Sequence, residues 1–378
     1  MGKDASPVHG AATNTGGPVL VAGTYTDTIA AGDKKYYRVR LDAKSNAFVS
    51  TVLAPPPATK VGLMDGIRVS LASLDGTECS SGDTVVFASN TARPLAGYGT
   101  RRIQANGPCQ RAGEYLYTVA RTGSANSGSK AWPIELKYMS EPGLKSDAVA
   151  PTAPTKWSSK APVPPKTLAK PVIGGTGFND AAPVGEGAWK DEIRPGESRF
   201  YKVPVGWGQQ LFVDAEMANS GTDQQPVVVD GVRMALYNTA RGLADSEQTQ
   251  YSGKPSVLEL GTAPASFSNR FGAKPEAVSA LRFSGWYYVQ LTLDRQVAQS
   301  VPMRLSVSVE GDERPGPEYD GDPVKAGFGI SDADKEAVRP GGESLTMQTI
   351  GFTGIGIGTL LLLSLGGWTI VAHRRHLQ

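Results

Sequence analysis

Histidine is scarce in this chain, which has 378 residues and three histidines. His9 lies near the N-terminus, and His373 and His376 lie almost at the C-terminus. A Ser-His-Asp or Cys-His arrangement, or a histidine-ligated metal centre, is therefore not expected in the folded part of the chain. Carboxylate pairs exist among the 36 acidic residues, but no spacing singles out two of them. The sequence identifies no catalytic residue, metal ligand or cofactor, and predicts that the protein is not an enzyme.

Cysteine is just as scarce, since Cys79 and Cys109 are the only two. They form no CxxC and have no neighbouring histidine, so a zinc site is not supported. Both lie beside turn residues, and in an extracytoplasmic domain we expect them to form a disulfide. Closing a loop of this length would stabilise the domain by about 3 to 4 kcal/mol. The alternative is a pair of unpaired thiols.

Basic clusters and a secretory leader are also missing from the sequence. The net charge is +2, and no run of Lys or Arg suggests nucleic-acid binding. Residues 1–17 lack the apolar core of a signal peptide and are predicted to be a disordered arm. Because the C-terminal end of the chain is predicted to cross a membrane, we expect a signal peptide that was removed or lies upstream of Met1. The alternative is late insertion through the tail.

A duplication is the main feature that is present. Residues 23–49 match residues 187–213 without a gap, so that Gly23 meets Gly187 and Asp27 meets Asp191. Aromatic and β-branched positions keep their places while the intervening residues change. Later landmarks recur in the same order, although the two cysteines do not. The chain therefore contains one domain twice, at residues 18–143 and 184–311.

The sequence of each copy predicts short strands joined by turns. Residues 31–33 and 195–197 have the composition of tight turns with a central glycine. The strand that follows alternates buried and outward positions, as with Tyr37 and Tyr201 on the inner face. Further alternating runs follow, with no amphipathic helix between them. We predict an all-β fold of two tandem antiparallel β-sandwich domains of jelly-roll type, plus one C-terminal transmembrane helix.

Two segments poor in core-forming residues flank the second copy. Residues 144–183 are rich in proline and are predicted to be a semi-rigid linker that holds the copies apart. Residues 312–349 begin with an acidic, Gly- and Pro-rich stretch and are predicted to be a solvated stalk. Asp320 and Asp322 offer hard oxygens for calcium, but no EF-hand spacing supports that alternative.

Residues 350–372 form an uncharged apolar run. As a helix the run would be about 34 Å long, which is enough to cross a hydrocarbon core of about 30 Å. Trp368 near one boundary, followed by Arg374 and Arg375, predicts that residues 373–378 lie in the cytoplasm and the β domains outside. Gly354 and Gly358 form a GxxxG that permits pairing of two such helices.

The repeated pattern resembles a known family. Gly23–Val39 and Gly187–Val203 share G-aromatic-x-D-x-I-x-x-G-(D/E)-x-x-(Y/F)-Y-x-V. This is similar to the bacterial pre-peptidase C-terminal domain, a small β-sandwich, and most of all to tandem copies in membrane-anchored actinobacterial surface proteins. Those proteins often carry a von Willebrand factor A domain. No peptidase domain and no DxSxS motif is present in this sequence, so the resemblance implies the sandwich fold and a surface location, without those activities.

Exposed aromatic residues give a candidate binding surface, formed by Tyr36, Phe200, Trp207 and Trp286. Such residues suit carbohydrate or polymer binding, although aromatic pairs on strands often have one core and one sheet-surface member. We expect a cell-surface protein, anchored by a single membrane span, that binds or positions an extracellular protein or cell-wall polymer. The alternative is an accessory subunit of an enzyme or secretion system whose catalytic part is on another chain or upstream.

Overall fold

The computed structural model describes residues 2, 4–56, 59–80, 82–123, 130–146, 151–163, 168–220, 226–272 and 274–339. These residues belong to two units, Met1–Ser331 and Asp332–Gln378. In the first copy of the duplication the strands are β1 (Ser6–Pro7), β2 (Val19–Leu20), β3 (Gly23–Ile29), β4 (Lys34–Leu41), β5 (Asn46–Leu53), β6 (Gly66–Ser73), β7 (Asp83–Val86), β8 (Leu95–Arg101), β9 (Gly113–Thr122) and β10 (Trp132–Glu141).

The second copy repeats this series and adds two short helical turns. Its strands are β11 (Lys170–Pro171), β12 (Ala182–Pro183), β13 (Gly187–Ile193), β14 (Ser198–Val205), β15 (Gln210–Met217), β16 (Val228–Tyr237), β17 (Leu243–Tyr251), β18 (Ser256–Gly261), β19 (Gly285–Leu293) and β20 (Val301–Glu310). A 3-10 turn at Phe267–Arg270 and the helix α1 (Glu276–Ser279) lie between β18 and β19.

The two copies have the same strand order. In the first copy, sheet 1 runs β1-β3-β10-β5-β8 and sheet 2 runs β2-β4-β9-β6-β7. In the second copy, sheet 1 runs β11-β13-β20-β15-β18 and sheet 2 runs β12-β14-β19-β16-β17. The predicted all-β fold and the duplication are therefore confirmed. One detail differs from the antiparallel prediction, since the two-residue edge strand of each sheet pairs in parallel.

Equivalent side chains hold equivalent contacts in the two cores. Tyr37 and Tyr201 are fully buried, and each hydroxyl donates to the carboxylate of Asp27 or Asp191 at 2.8 and 2.7 Å. The same carboxylates accept a backbone N–H from Gly10 and from Gly174, both at 2.8 Å. The repeated aspartate is thus a structural residue that ties an edge segment to the buried tyrosine.

The predicted turns are present. Gly32 has φ of 78° and Gly196 has φ of 76°, a left-handed conformation that a side chain would strain. The backbone N–H of Asp33 donates to Ala30, and that of Glu197 donates to Arg194, which closes both turns. Glycine at these positions lets β3 lead into β4, and β13 into β14, each pair crossing between the two sheets.

Two segments predicted to be solvated are instead part of the folded unit. In the N-terminal arm, β1 pairs with β3, and Ala11 exchanges backbone hydrogen bonds with Tyr36. Beyond the second copy, Tyr319 and Phe328 are buried. The backbone N–H and C=O groups of the arm can pair with the edges of the sheets. The two aromatic rings beyond the second copy can be buried against the core. The composition of these segments shows neither contribution.

The two copies pack directly against each other, so the predicted separation by a proline-rich spacer is wrong. The outward face of sheet 1 in the first copy meets the outward face of sheet 2 in the second, and two clusters of buried apolar side chains draw members from both copies. Linker residues lie along the second copy, where Ala153 donates to Ser268 and the carbonyl of Ser158 accepts from Gln210. The copies pack together because both outward faces carry apolar residues, which the contact buries. The linker runs beside this junction and does not separate the copies.

The second unit contributes the helix α2 (Asp332–Ala337). Among the helices of the described residues, none has the length and apolar character that a bilayer span requires. The predicted transmembrane segment 350–372, with Gly354, Gly358 and Trp368, lies outside the described residues, as do Arg374 and Arg375. The transmembrane prediction and its orientation remain predictions.

Candidate functional site at the junction of the two copies

An aromatic cluster fills the middle of the junction. The ring of Phe178, from the end of the linker, lies 5.1 Å from the rings of Phe200, Tyr237 and Tyr288. Val52 and Ala96 of the first copy complete the same buried cluster. The cluster excludes water from a continuous apolar contact between β5 and β8 on one side and β14, β16 and β19 on the other. Phe200 is fully buried in it, so its predicted place on an exposed binding surface is wrong.

One buried ion pair flanks this cluster. Arg241 donates to Glu135 at 2.7 Å, and both side chains are nearly inaccessible to solvent. Asn179 and the backbone N–H of Gly2 also donate to the Glu135 carboxylate, at 2.7 Å each. Burial alone would raise the pKa of Glu135, but Arg241 and these donors stabilise the anion and the pKa is lowered. Glu135 therefore remains charged and joins four separate parts of the chain.

A second ion pair is completely buried. The guanidinium of Arg270 donates two parallel hydrogen bonds of 2.6 and 2.9 Å to the carboxylate of Glu141, and neither side chain is exposed. Asn46 and Tyr319 donate to the same carboxylate at 2.8 Å. Burial, followed by the charge of Glu141, raises the pKa of Tyr319, which stays protonated and acts as a donor. With all its partners present, the carboxylate is fully satisfied, which is the condition under which a buried charge is tolerated.

Three phenylalanines close the junction beside the second ion pair. Phe48 of β5 lies 4.8 Å from Phe283, which precedes β19, and Phe328 lies 5.6 and 5.2 Å from these two rings. One ring comes from each copy and one from the segment after β20. That segment therefore fastens both copies together at this end.

At the opposite end of the junction the contacts are polar. The hydroxyl of Thr91 donates to the carboxylate of Asp294, and the side chain of Gln290 donates to the carbonyl of Pro94 at 3.1 Å. The backbone N–H of Arg295 donates to the hydroxyl of Thr91 at 3.3 Å. The two copies are therefore in contact at both ends and in the middle of the junction, and they form one body.

The other predicted surface residues lie apart from one another. Tyr36 is half-buried on β4 of the first copy, with the Lys34 ammonium 5.1 Å from its ring. Trp286 is half-buried on β19 of the second copy beneath Lys202. Trp207 is half-buried in the turn between β14 and β15 and lies against the residues after β20. The structure does not bring these side chains together into one surface.

A concave site lies where the linker crosses the second copy. This cavity of about 210 Å³ is lined by Trp157 of the linker, by Phe212 of β15 and by Asp245 of β17, and α1 closes one side. Trp157 is half-exposed, and Asp245 is exposed. Apolar walls with a carboxylate at the rim suit a small polar ring or an organic cation. Sequence reasoning missed this cavity because its walls come from five separate segments.

The predicted disulfide is confirmed. Cys79 and Cys109 are bonded, with their Cα atoms 5.3 Å apart, and the Cys79 side chain contributes to the core of the first copy. The bond ties the turn after β6 to the loop before β9. Within the described part of the chain, no group of three or more His, Cys, Asp or Glu side chains is arranged to hold a metal ion.

The residues of the junction were not identified from the sequence, although one signal was available. Every residue of β5 is buried, on both faces of the strand. Its sequence, NAFVSTVL, has no charged residue, which is typical of a strand covered on both sides. The ion-pair partners gave no signal, since Arg241 and Glu135 are more than a hundred positions apart.

Comparisons with known proteins found β-sandwich structures. No family model and no curated protein matches the chain. Among solved structures, the pre-peptidase C-terminal domain of collagenase from Bacillus anthracis has 10% identity and a TM-score of 0.19, and the match covers 36% of this chain and 97% of that one. The CBM22 tandem domain of Xyn10C from Paenibacillus barcinonensis has 10% identity and a TM-score of 0.19, with 76% and 86% covered.

Proposed function

We propose that this chain is a non-enzymatic cell-surface protein whose two pre-peptidase-C-terminal-like domains act as one rigid body that binds or positions an extracellular partner or cell-wall polymer. In this proposal residues 350–372 anchor it in the membrane, and residues 373–378 lie in the cytoplasm. The repeated motif, with its likeness to actinobacterial surface proteins, supports the location, and the disulfide supports an oxidising compartment.

The observation that carries the proposal is the buried junction. Two ion pairs, an aromatic cluster and a phenylalanine trio fix the copies relative to each other. Such a junction keeps the exposed loops and the Trp157 cavity at constant positions, and a site that is already ordered loses less conformational entropy on binding. Rigid placement of a surface is useful to a binding or positioning protein.

The test is retention of the full-length protein on cell-surface fractions. Wild type is compared with Trp157→Ala, which removes a wall of the cavity, and with Tyr36→Ala, a half-buried aromatic residue on the other copy. We expect wild type and Tyr36→Ala to be retained on cell-wall polymer or surface extract, and Trp157→Ala to be retained several-fold less. Turnover of a peptide or glycan by the pure protein would disprove the non-enzymatic part. Absence of retention on every fraction would disprove the binding part.

A further inference from the structure

Both copies expose aliphatic side chains at the same loop. In the first copy Leu63 and Met64, just before β6, are 55% and 73% exposed. In the second copy Val227 and Val229, at the start of β16, are 57% and 75% exposed. The residues that follow, Asp-Gly in each copy, enter equivalent strands. We call these four side chains the apolar tips. Exposed aliphatic side chains at equivalent positions of both copies, on a surface that has otherwise diverged, indicate a shared role for this loop. A single exposed apolar residue would not.

The two pairs of tips lie at one end of the molecule. The carbonyl of Leu63 accepts from Ala88 at 2.9 Å, and Thr91, three residues on, bonds to Asp294. The backbone N–H of Asp294 in turn donates to the carbonyl of Gly231, two residues from Val229. A short chain of hydrogen bonds thus joins the two loops across the junction. One extended surface can contact both.

Basic side chains surround the tips. Lys60, Lys254 and Arg295 are exposed. Lys60 precedes the first tip by three residues, Lys254 lies in the turn beyond the strand that pairs with Val228, and Arg295 follows Asp294. Of the described carboxylates nearest to the tips in the chain, Asp65 and Asp294 are buried, and Asp230 is partly exposed and lines a gap between the two copies. Exposed cations therefore outnumber exposed carboxylates among these described neighbours of the tips.

The composition of this end favours lipid over protein as the partner. Protein interfaces concentrate their binding energy in Trp, Tyr and Arg, and are depleted in Lys, whereas Leu and Val are under-represented. Segments that enter a membrane surface combine aliphatic side chains with Lys or Arg that meet anionic headgroups. The four tips are aliphatic, and two of the three cations are lysines. We propose that this end of the molecule docks on a lipid surface that contains anionic headgroups.

The experiment uses full-length protein whose residues 350–372 are already inserted in phosphatidylcholine nanodiscs, which are immobilised through their scaffold protein, and phosphatidylcholine vesicles with or without phosphatidylglycerol are passed over them. The first variant is Leu63→Asp with Met64→Asp, the second is Val227→Asp with Val229→Asp, and the third combines all four. Leu74→Asp is the matched control, because Leu74 is 57% exposed at the far end of β6, roughly 26 Å away. Thermal unfolding checks that each variant is folded.

We expect wild type and Leu74→Asp to capture the anionic vesicles, each double variant to capture them about tenfold more weakly or worse, and the combined variant to capture none. Vesicles should also protect Met64 of the wild type from peroxide oxidation, a readout that needs no variant. No capture by wild type, or equal capture by the combined variant, would overturn the proposal. Tip-dependent retention on delipidated cell wall without vesicle capture would also overturn it, while leaving the proposed function intact.

Discussion

Glu141 has the most complete set of partners among the buried charged residues described above. Arg270, Asn46 and Tyr319 all donate to it, and removing Arg270 would leave an unpaired anion in a site that is inaccessible to solvent. We therefore expect Arg270→Met to lower the free energy of unfolding by about 3 to 5 kcal/mol. Adding Glu141→Leu should recover much of that loss, because the unpaired charge disappears. Urea unfolding of the single and double variants measures both effects.

The control for this pair is Arg40→Met. Arg40 pairs with Glu114 at 2.9 Å, but its side chain is 72% exposed, so its loss should cost less than about 1 kcal/mol. If Arg270→Met were as mild as Arg40→Met, the junction would not depend on its buried charges.

Asp214 makes the stability of the second copy depend on pH. It lies on the outward face of β15, opposite Glu259 of β18, and one of its carboxylate oxygens is buried without a hydrogen-bond partner. Burial, followed by the charges of Glu259 and Glu216, raises the pKa of Asp214 from 3.8 to about 6. A raised pKa means that the folded state holds the proton more tightly than the unfolded chain. The resulting stabilisation is complete below about pH 4 and is lost as the pH rises through 6.

Replacing Asp214 by Asn should therefore stabilise the protein at pH 8 by roughly 1 to 2 kcal/mol and change little at pH 4. Thermal unfolding of wild type and variant at pH 4, 6 and 8 gives the difference directly. A gap that stays constant across the three values would show that Asp214 does not titrate in this range.

At the scale of elements, the disulfide acts on one copy. Cys79 and Cys109 are 30 positions apart and close a loop that contains β7 and β8. Substituting both by Ser should lower the free energy of unfolding by about 3 kcal/mol, because the unfolded chain gains conformational freedom. Denaturant unfolding with and without reductant tests this, and reductant should have no effect on the substituted protein. Equal stability of oxidised and reduced wild type would contradict the expectation.

The strands were predictable where a single face is buried, and the junction was not. Tyr37 alternates with outward residues along β4 because sheet packing has a period of two, and the sequence records that period directly. Apart from the uncharged sequence of β5, the outward faces carry no such record. Phe200 occupies the same place as Tyr36, yet it is buried because Phe178 from the linker covers it, which depends on how the chain returns in space. The Trp157 cavity has the same origin, since the residues that line it are brought together only by the folded linker.

On the scale of the whole molecule, the buried junction predicts that neither copy is a stable monomer alone. Fragments 4–146 and 168–331 would each expose part of the aromatic cluster and one partner of each ion pair. We expect each fragment to bind a hydrophobic dye and to self-associate, and the two together to form a one-to-one complex. Size-exclusion chromatography with light scattering is the measurement. Stable monomeric fragments that do not associate would show that the junction contributes little to the stability of either copy.

The orientation of the chain gives a second prediction at this scale. If residues 350–372 cross the membrane with Arg374 and Arg375 inside, protease added to intact cells should remove both β domains and leave the C-terminal tail intact. An epitope placed after Gln378 reports the outcome. Loss of the epitope together with protection of the domains would reverse the topology.

The phenylalanine trio also bears on how the protein would respond to tension. A pull on the chain after Ser331 reaches Phe328 and Tyr319 first, and these side chains contact Phe48 and Glu141 of one copy and Phe283 and Phe267 of the other. The load then divides between the two sandwiches instead of peeling β20 from its sheet. A mechanical measurement on a tethered molecule should accordingly show the copies yielding after this fastening is released.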